Sequence, residues 1–202
     1  LRVWSLAAFS QQFAPTLWTY EVGGTVPGVP LTYDQCCSLG DARGSPMWSA
    51  SGDAIFVVGS GALSGVHALS SSGAALWFYA ETVSQYSTPT DLALQDGVLY
   101  FGTYGGLHAI NASTGARVWY AAVGDFNVSS PSICAEGASV VAVVSQWNGT
   151  GVATSTGEIL QVHDSHVAAF SAASGAPLWT YSAGAGMSYA PNTACPSSVD
   201  EL

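Results

Sequence analysis

The sequence predicts an all-β fold, a β-propeller of four-stranded antiparallel blades, on three observations. A segment ending in tryptophan recurs at 8–18, 68–77, 109–119 and 169–179. The basic spacing is 42 residues, from Trp77 to Trp119, and in three copies a proline follows the tryptophan by 12 residues. No long window has the apolar periodicity of a helix. A fixed repeat of this length is typical of solenoids and propellers, so we expect about four repeats of 42 residues.

Each repeat reads as four short strands, and the second full unit shows them best. Asp96-Gly97 is a hairpin signal, because both residues tolerate a positive φ. The segment after it is rich in aromatic and branched residues, as strands are. Asn111 to Gly115 forms a turn between the last two strands, with glycine supplying the positive φ. The predicted strands are A (87–94), B (98–104), C (107–110) and D (116–121).

The repeats divide the chain into blades, but the chain is out of phase with them. It begins near strand C of one unit and ends in strand A of another, so strand A of the last blade would complete the first. Three interpretations stay open: a closed four-bladed ring, a strand handed to a neighbouring molecule in a ring dimer or filament, or a piece of a longer propeller. The predicted blades are 1–21 (partial), 45–80, 87–122, 129–182 and 188–202 (partial), with insertions at 22–40 and 147–164.

Residues 102–119 resemble the repeat of the PQQ-type (quinoprotein alcohol dehydrogenase-like) β-propeller family. They read Gly-Thr-Tyr-Gly-Gly-Leu-His-Ala-Ile-Asn-Ala-Ser-Thr-Gly-Ala-Arg-Val-Trp. The resemblance implies that a tryptophan of each repeat packs between neighbouring blades and that a glycine makes the C–D turn. Those roles fall on Trp18, Trp77, Trp119 and Trp179, and on Gly73, Gly115 and Gly175. Dehydrogenases, assembly scaffolds and surface proteins share this repeat, so it specifies fold better than activity.

The composition excludes several classes of partner. The net charge is −10, there is no lysine, and the basic side chains besides four histidines are Arg2, Arg43 and Arg117. Such a chain cannot build the basic face that nucleic acid or an anionic membrane requires. No stretch approaches the 18 apolar residues of a membrane span. The chain starts at Leu1 without methionine, as a mature product after signal removal or an excerpt would.

The cysteines and glycosylation motifs favour an extracellular protein. Four cysteines without a zinc pattern predict two disulfides of open connectivity among Cys36, Cys37, Cys134 and Cys195. Quinoprotein alcohol dehydrogenases carry an adjacent disulfide against the cofactor, but we favour bridges from Cys36 and Cys37 to other positions, since strained adjacent disulfides are uncommon. Three Asn-x-Ser/Thr motifs predict glycosylation at Asn111, Asn127 and Asn148. Asn111 also suits the turn itself.

Chemically active side chains do not form a recognisable site. Both insertions are expected on one rim, and the second offers Glu158, His163, Asp164 and His166, which could bind a metal if the loop curled. His67 and His108 occupy matching blade positions, which favours packing over catalysis. The resemblance implies calcium, a catalytic aspartate and an aromatic floor for a quinone. The acids available on that rim, which have no assignable role, are Asp34, Asp41 and Asp125.

We therefore predict no catalytic, cofactor-binding or metal site, and no cofactor. The leading hypothesis is a secreted, glycosylated structural module that self-associates, as a subunit of an extracellular fibre or surface layer joined by terminal strands. The alternative is a module whose rim, around Trp147, binds a polysaccharide or protein. A second alternative is a fragment of a quinoprotein dehydrogenase, an enzyme.

Overall fold

A computed structural model describes residues 5–9, 16–21, 42–59, 64–80, 89–134, 138–153 and 159–185. Throughout these ranges the chain forms β-strands and turns, which confirms the predicted all-β fold. None of the described residues belongs to a helix long and apolar enough to cross a membrane. The first insertion (22–40) and the last partial blade (188–202) lie outside the described residues. Completion of the first blade by the last strand therefore stays a prediction.

Thirteen strands follow one another along the chain. They are β1 (Ser5–Phe9), β2 (Thr16–Glu21), β3 (Ala42–Trp48), β4 (Ala54–Gly59), β5 (Gly65–Ser70), β6 (Ala75–Ala80), β7 (Ala93–Gln95), β8 (Val98–Asn111), β9 (Arg117–Asn127), β10 (Ser132–Cys134), β11 (Ser139–Ala153), β12 (Ile159–Ser171) and β13 (Pro177–Ala185).

Each sheet is an antiparallel meander of consecutive strands. The sheet orders are β1-β2, β3-β4-β5-β6, β7-β8-β9 and β10-β11-β12-β13. Hairpin connections of this kind need only short turns, and a four-stranded meander is the unit of a propeller blade. The predicted four-stranded antiparallel blades are thus confirmed for the second and fourth sheets.

Strand β8 runs from Val98 to Asn111, but the chain reverses direction within it. The rings of Phe101 and His108 stack with centroids 4.9 Å apart. Seven residues of continuous strand would separate them by roughly 23 Å. Gly105, with a φ of 91°, lies between them at the point where the chain turns back. The contact indicates that β8 contains the predicted strands B and C, so this blade also has four strands.

The chain divides into two compact units, each with its own core. The first comprises Leu1–Leu92 and the turn Ala112–Ala116, and the second Ala93–Asn111 and Arg117–Leu202. In the first unit Tyr20 packs against a buried cluster of Ile55, Val57 and Leu69. In the second a larger buried cluster comprises Tyr100, Leu107, Ala109, Trp119, Val128, Val140, Ala142, Ala168, Phe170 and Ala172.

Two element predictions need correction. The sequence predicts strand A over 87–94, of which residues 87 and 88 lie outside the described residues; residues 89–92 form no strand and the strand runs from Ala93 to Gln95. Pro89 has no N–H to donate to a ladder. The insertion at 147–164 is not a loop over most of its length. It extends β11 and β12 into a longer hairpin, with Val152 opposite Leu160 and Ala153 opposite Ile159. Apolar and branched residues on both sides of residues 154–158 favour this pairing.

Candidate interaction site

The recurring tryptophan lies opposite an alanine of the neighbouring strand in four hairpins. Directly beyond each pair the register shifts by one residue, which is a β-bulge. The residue left over in the bulge is the leucine or valine just before the tryptophan. A bulge re-aims the adjacent side chain, and Trp77, Trp119 and Trp179 each lie next to one. The pairs are Ala8 with Trp18, Ala68 with Trp77, Ala109 with Trp119, and Ala169 with Trp179.

Trp77 binds the turn that joins β8 to β9. Its indole Nε1 donates a hydrogen bond of 3.1 Å to the carbonyl oxygen of Ala112. The ring covers Gly115, and on its own sheet it packs on Phe56 with centroids 5.8 Å apart. A buried indole N–H needs an acceptor, and here a main-chain carbonyl supplies it. The packing of Trp77 between blades stays a prediction; the structure shows its contact with the turn at Gly115.

Trp119 binds the turn between β12 and β13 in the same way. Its Nε1 donates a hydrogen bond of 2.8 Å to the carbonyl oxygen of Ala172, which also accepts one of 3.3 Å from the Tyr100 hydroxyl. The ring covers Gly175 and is only 8% exposed. In both cases the accepting carbonyl lies three residues before the glycine.

Glycine is required at both turns for two separate reasons. Gly115 and Gly175 each have a φ of 70°, a conformation that costs other residues energy. A Cβ placed on either would also lie 2.6 Å from Cε3 of the tryptophan above it. The turn therefore presents a flat main-chain surface that an indole ring can cover closely.

Trp179 is the exception in this series. It has the same cross-strand partner and bulge, yet 51% of its surface is exposed. Leu178 is 54% exposed and Tyr181 67%. Leu178 is as exposed as its counterparts Leu76 (53%) and Val118 (49%), so what distinguishes β13 is the exposure of Trp179 together with Tyr181, two residues further along the strand. We call these two residues the β13 face. The sequence motif alone does not distinguish Trp179 from the covered tryptophans, because the motif specifies the tryptophan but not the turn that packs on its ring.

The two matching histidines are packing residues, as predicted. His67 and His108 are each 2% exposed and stack against aromatic rings. The Tyr20 hydroxyl lies 3.4 Å from Nδ1 of His67, and the Thr103 hydroxyl 2.9 Å from Nε2 of His108. Burial lowers the pKa of His108 to about 4, with a smaller contribution from the Arg117 charge. The ring is therefore neutral at pH 7.

The suggested metal site requires a curled loop, and the described part of the second insertion is extended strand. His163, Asp164 and His166 lie in the extended strand β12, not in a curled loop, and Glu158 is outside the described residues. Within the described part of the chain no group of three or more His, Cys, Asp or Glu side chains could hold a metal ion. Of the rim acids, Asp125 lies in β9, and the other two are outside the described ranges.

The predicted modification sites are only partly visible. Asn111 ends β8, Asn127 ends β9, and Asn148 lies at the bulge of β11 where the register shifts between Trp147 and Gly151. Glycosylation at these positions stays a prediction. Cys134 is disulfide-bonded in the structure, while the other three cysteines lie outside the described residues. The pairing, and the prediction of two disulfides, therefore stay open.

A protein-family profile described as "Outer membrane protein assembly factor BamB", of the PQQ-repeat type, matches residues 5–157 and 62–198. The chain belongs to this family. The two matches overlap, as expected of a sequence that repeats internally. The predicted PQQ-type propeller family is thus confirmed, while the number of repeats in the complete fold stays a prediction.

The other comparisons add less. No curated protein matches the chain. Among solved structures, "Europium-containing methanol dehydrogenase" is similar at 16% sequence identity, with a TM-score of 0.42 over 70% of this chain and 25% of that one. The chain thus spans about a quarter of the length of that protein.

Proposed function

We propose that this chain is a structural interaction module, which acts by binding protein surfaces and not by catalysis. The observation that carries the proposal is the β13 face, where Trp179 is 51% exposed while Trp119, its counterpart in the preceding blade, is 8% exposed. Exposed apolar groups clustered on one strand are typical of interaction surfaces. An exposed tryptophan at such a surface is a frequent source of binding energy.

We also propose that the protein is extracellular. The absence of lysine, the net charge of −10 and three glycosylation motifs support secretion. The disulfide at Cys134 supports it too, because disulfides persist mainly in oxidising compartments. Intact-mass measurement of the native protein before and after deglycosylation tests this. An unmodified mass with reduced thiols would contradict an extracellular location.

The more specific form of the proposal is a fibre or surface layer in which copies exchange terminal strands. Negative-stain electron microscopy of native material, with sedimentation in parallel, tests it. Rings or filaments are expected; a monodisperse monomer with both termini paired in one blade would end this form of the proposal.

A second candidate function is recognition of a polysaccharide or protein by the hairpin of β11 and β12. What favours it is the length of this hairpin, which extends through the pairs from Gly151–Gln161 to Ala153–Ile159, whereas the equivalent hairpin of β4 and β5 has six pairs. Binding on a glycan array that Trp147→Ala abolishes would support it. Trp48→Ala is the matched control, since Trp48 is an exposed tryptophan on β3. Equal loss in both variants would argue against a specific site.

A third candidate is a fragment of a quinoprotein dehydrogenase, and the match to the PQQ-repeat family supports its propeller part. The described residues do not fit a calcium-bound quinone, because they bring no cluster of acidic or other ligating side chains together. We therefore derive no chemical step. Dye-linked alcohol oxidation that depends on added quinone and calcium would establish this role against the present proposal.

A further inference from the structure

Cys134 is the cysteine that the structure describes, and it is covalently paired. It ends strand β10, where it lies opposite Ser139 of β11 and is disulfide-bonded. Its side chain is 9% exposed and packs in a buried cluster with Val141 and Ala169. A disulfide brings two Cα atoms to within about 7 Å, so the partner lies beside the end of β10. The sequence offers three possible partners, which are Cys36, Cys37 and Cys195.

The division of the chain into compact units favours one of the three. Cys134 and Cys195 both belong to the second unit, whereas Cys36 and Cys37 belong to the first. A compact unit collects residues that lie near one another, as two bonded cysteines must. We propose that Cys134 is bonded to Cys195, and that the bond fastens the segment after β13 to the end of β10. This pairing goes beyond the interaction role proposed above.

The repeat places these two cysteines at near-equivalent positions of successive blades. Pro131 and Pro191 each lie 12 residues after the repeat tryptophan. Cys134 follows the first of these prolines by three residues, and Cys195 follows the second by four. Strand β7 begins four residues after Pro89, the preceding proline of the series, and its Cα atoms come within 8 Å of those in β10. The same relation, applied once more, brings Cys195 beside Cys134.

The pairing also decides what the other two cysteines can do. It leaves no further cysteine of the chain for Cys36 and Cys37, so the bridges to other positions that the sequence favours are excluded within the chain. The bond forms when two thiols pass two electrons and two protons to a small-molecule disulfide such as oxidised glutathione, which is released as two thiols. Reduction reverses this exchange and frees the segment after β13.

Peptide mapping without reduction tests the pairing directly. The native protein is unfolded in urea with iodoacetamide, which blocks free thiols, and is then deglycosylated and digested with trypsin. Trypsin cleaves after the arginines of this lysine-free chain, so the peptide 118–202 carries both Cys134 and Cys195, apart from Cys36 and Cys37. We expect this peptide to be unalkylated, bonded to no other peptide, and heavier by two hydrogen atoms after reduction. The inference is overturned if the peptide is alkylated without reduction, or if it remains bonded to the peptide of Cys36 and Cys37 or to a second copy of itself.

Variants of the full chain show what the bond does. Cys134→Ala and Cys195→Ala remove the same bond, which closes a loop of about 60 residues, so each should raise the ratio of unfolded to folded protein about 30-fold or more in urea unfolding. Cys195→Ala should add nothing in the Cys134→Ala background, because the bond is already absent there. A full additional cost in that background would overturn the inference. Cys36→Ala is the matched control, and it should leave the mapped bond in place.

The pairing and the proposed role fail separately. Free thiols at all four cysteines of native material would overturn this bond and the extracellular location together. A different disulfide on the map would overturn the bond and keep that location. The mapped bond in a protein that binds no partner surface would keep the pairing and remove the interaction role.

Discussion

Replacement of Gly175 by alanine measures how closely an indole is seated on its turn. The φ of 70° alone costs an L-residue about 1–2 kcal/mol. The new methyl group would also lie 2.6 Å from the ring of Trp119, which is 8% exposed and hydrogen-bonded, so it cannot move aside freely. Overpacking of this kind adds about 1–3 kcal/mol. We expect Gly175→Ala to lower the free energy of unfolding by about 2–5 kcal/mol.

Gly52→Ala is the matched control. Gly52 has a φ of 76° but nothing within 4 Å of the position a Cβ would take, so only the backbone cost applies. Urea unfolding of the full chain, followed by circular dichroism and fluorescence, gives both values. The difference between them, about 1–3 kcal/mol, is the contribution of the contact with Trp119.

A double-mutant cycle decides whether that contribution comes from the indole. In a Trp119→Ala background the methyl group has no ring to meet, so Gly175→Ala should cost no more than Gly52→Ala. Equal costs for the two glycines in the wild-type background would refute the reasoning. So would an undiminished cost of Gly175→Ala when the ring is absent.

Three further predictions concern the second unit. Trp119→Phe should cost at least about 1 kcal/mol in urea unfolding, because it keeps an aromatic side chain but removes the indole N–H that donates to Ala172. The pKa of His108, lowered from 6.5 to about 4, means that the unfolded chain takes up a proton first as pH falls. Stability should therefore decline between about pH 6.5 and 4, by at most about 3 kcal/mol, and His108→Gln should flatten that slope in unfolding measured across the range. Gly102→Ala should lower the melting temperature, because its Cβ would meet the carbonyl oxygen of Val128 at 2.7 Å; an unchanged value would show that the strand can shift.

The local rules of the sequence predicted the repeating parts well. Asp96 and Gly97 both have positive φ, as the hairpin signal requires. The glycine before β6, β9 and β13 and the tryptophan within each of these strands follow from steric limits that act over a few residues. Gly115 could be placed from sequence because no other residue tolerates both its φ and its covering ring.

The remaining features depend on partners that a repeat motif does not encode. The predicted loop at 147–164 proved mostly strand, since β11 and β12 each stabilise the other's extended conformation. The acceptors of the indole bonds are main-chain carbonyls, so no side-chain pattern marks them beyond their distance from the glycine. The exposure of Trp179 likewise depends on whether another segment packs on its ring, and the repeat motif does not specify that.

Use of main-chain atoms for docking explains why this repeat is a weak guide to activity. The two described contacts use a glycine and a main-chain carbonyl, so they require no particular side chain at the other positions of the turn. Differences in function must then lie where this chain departs from its own repeat. The described departures are the lengthened hairpin of β11 and β12 and the uncovered β13 face.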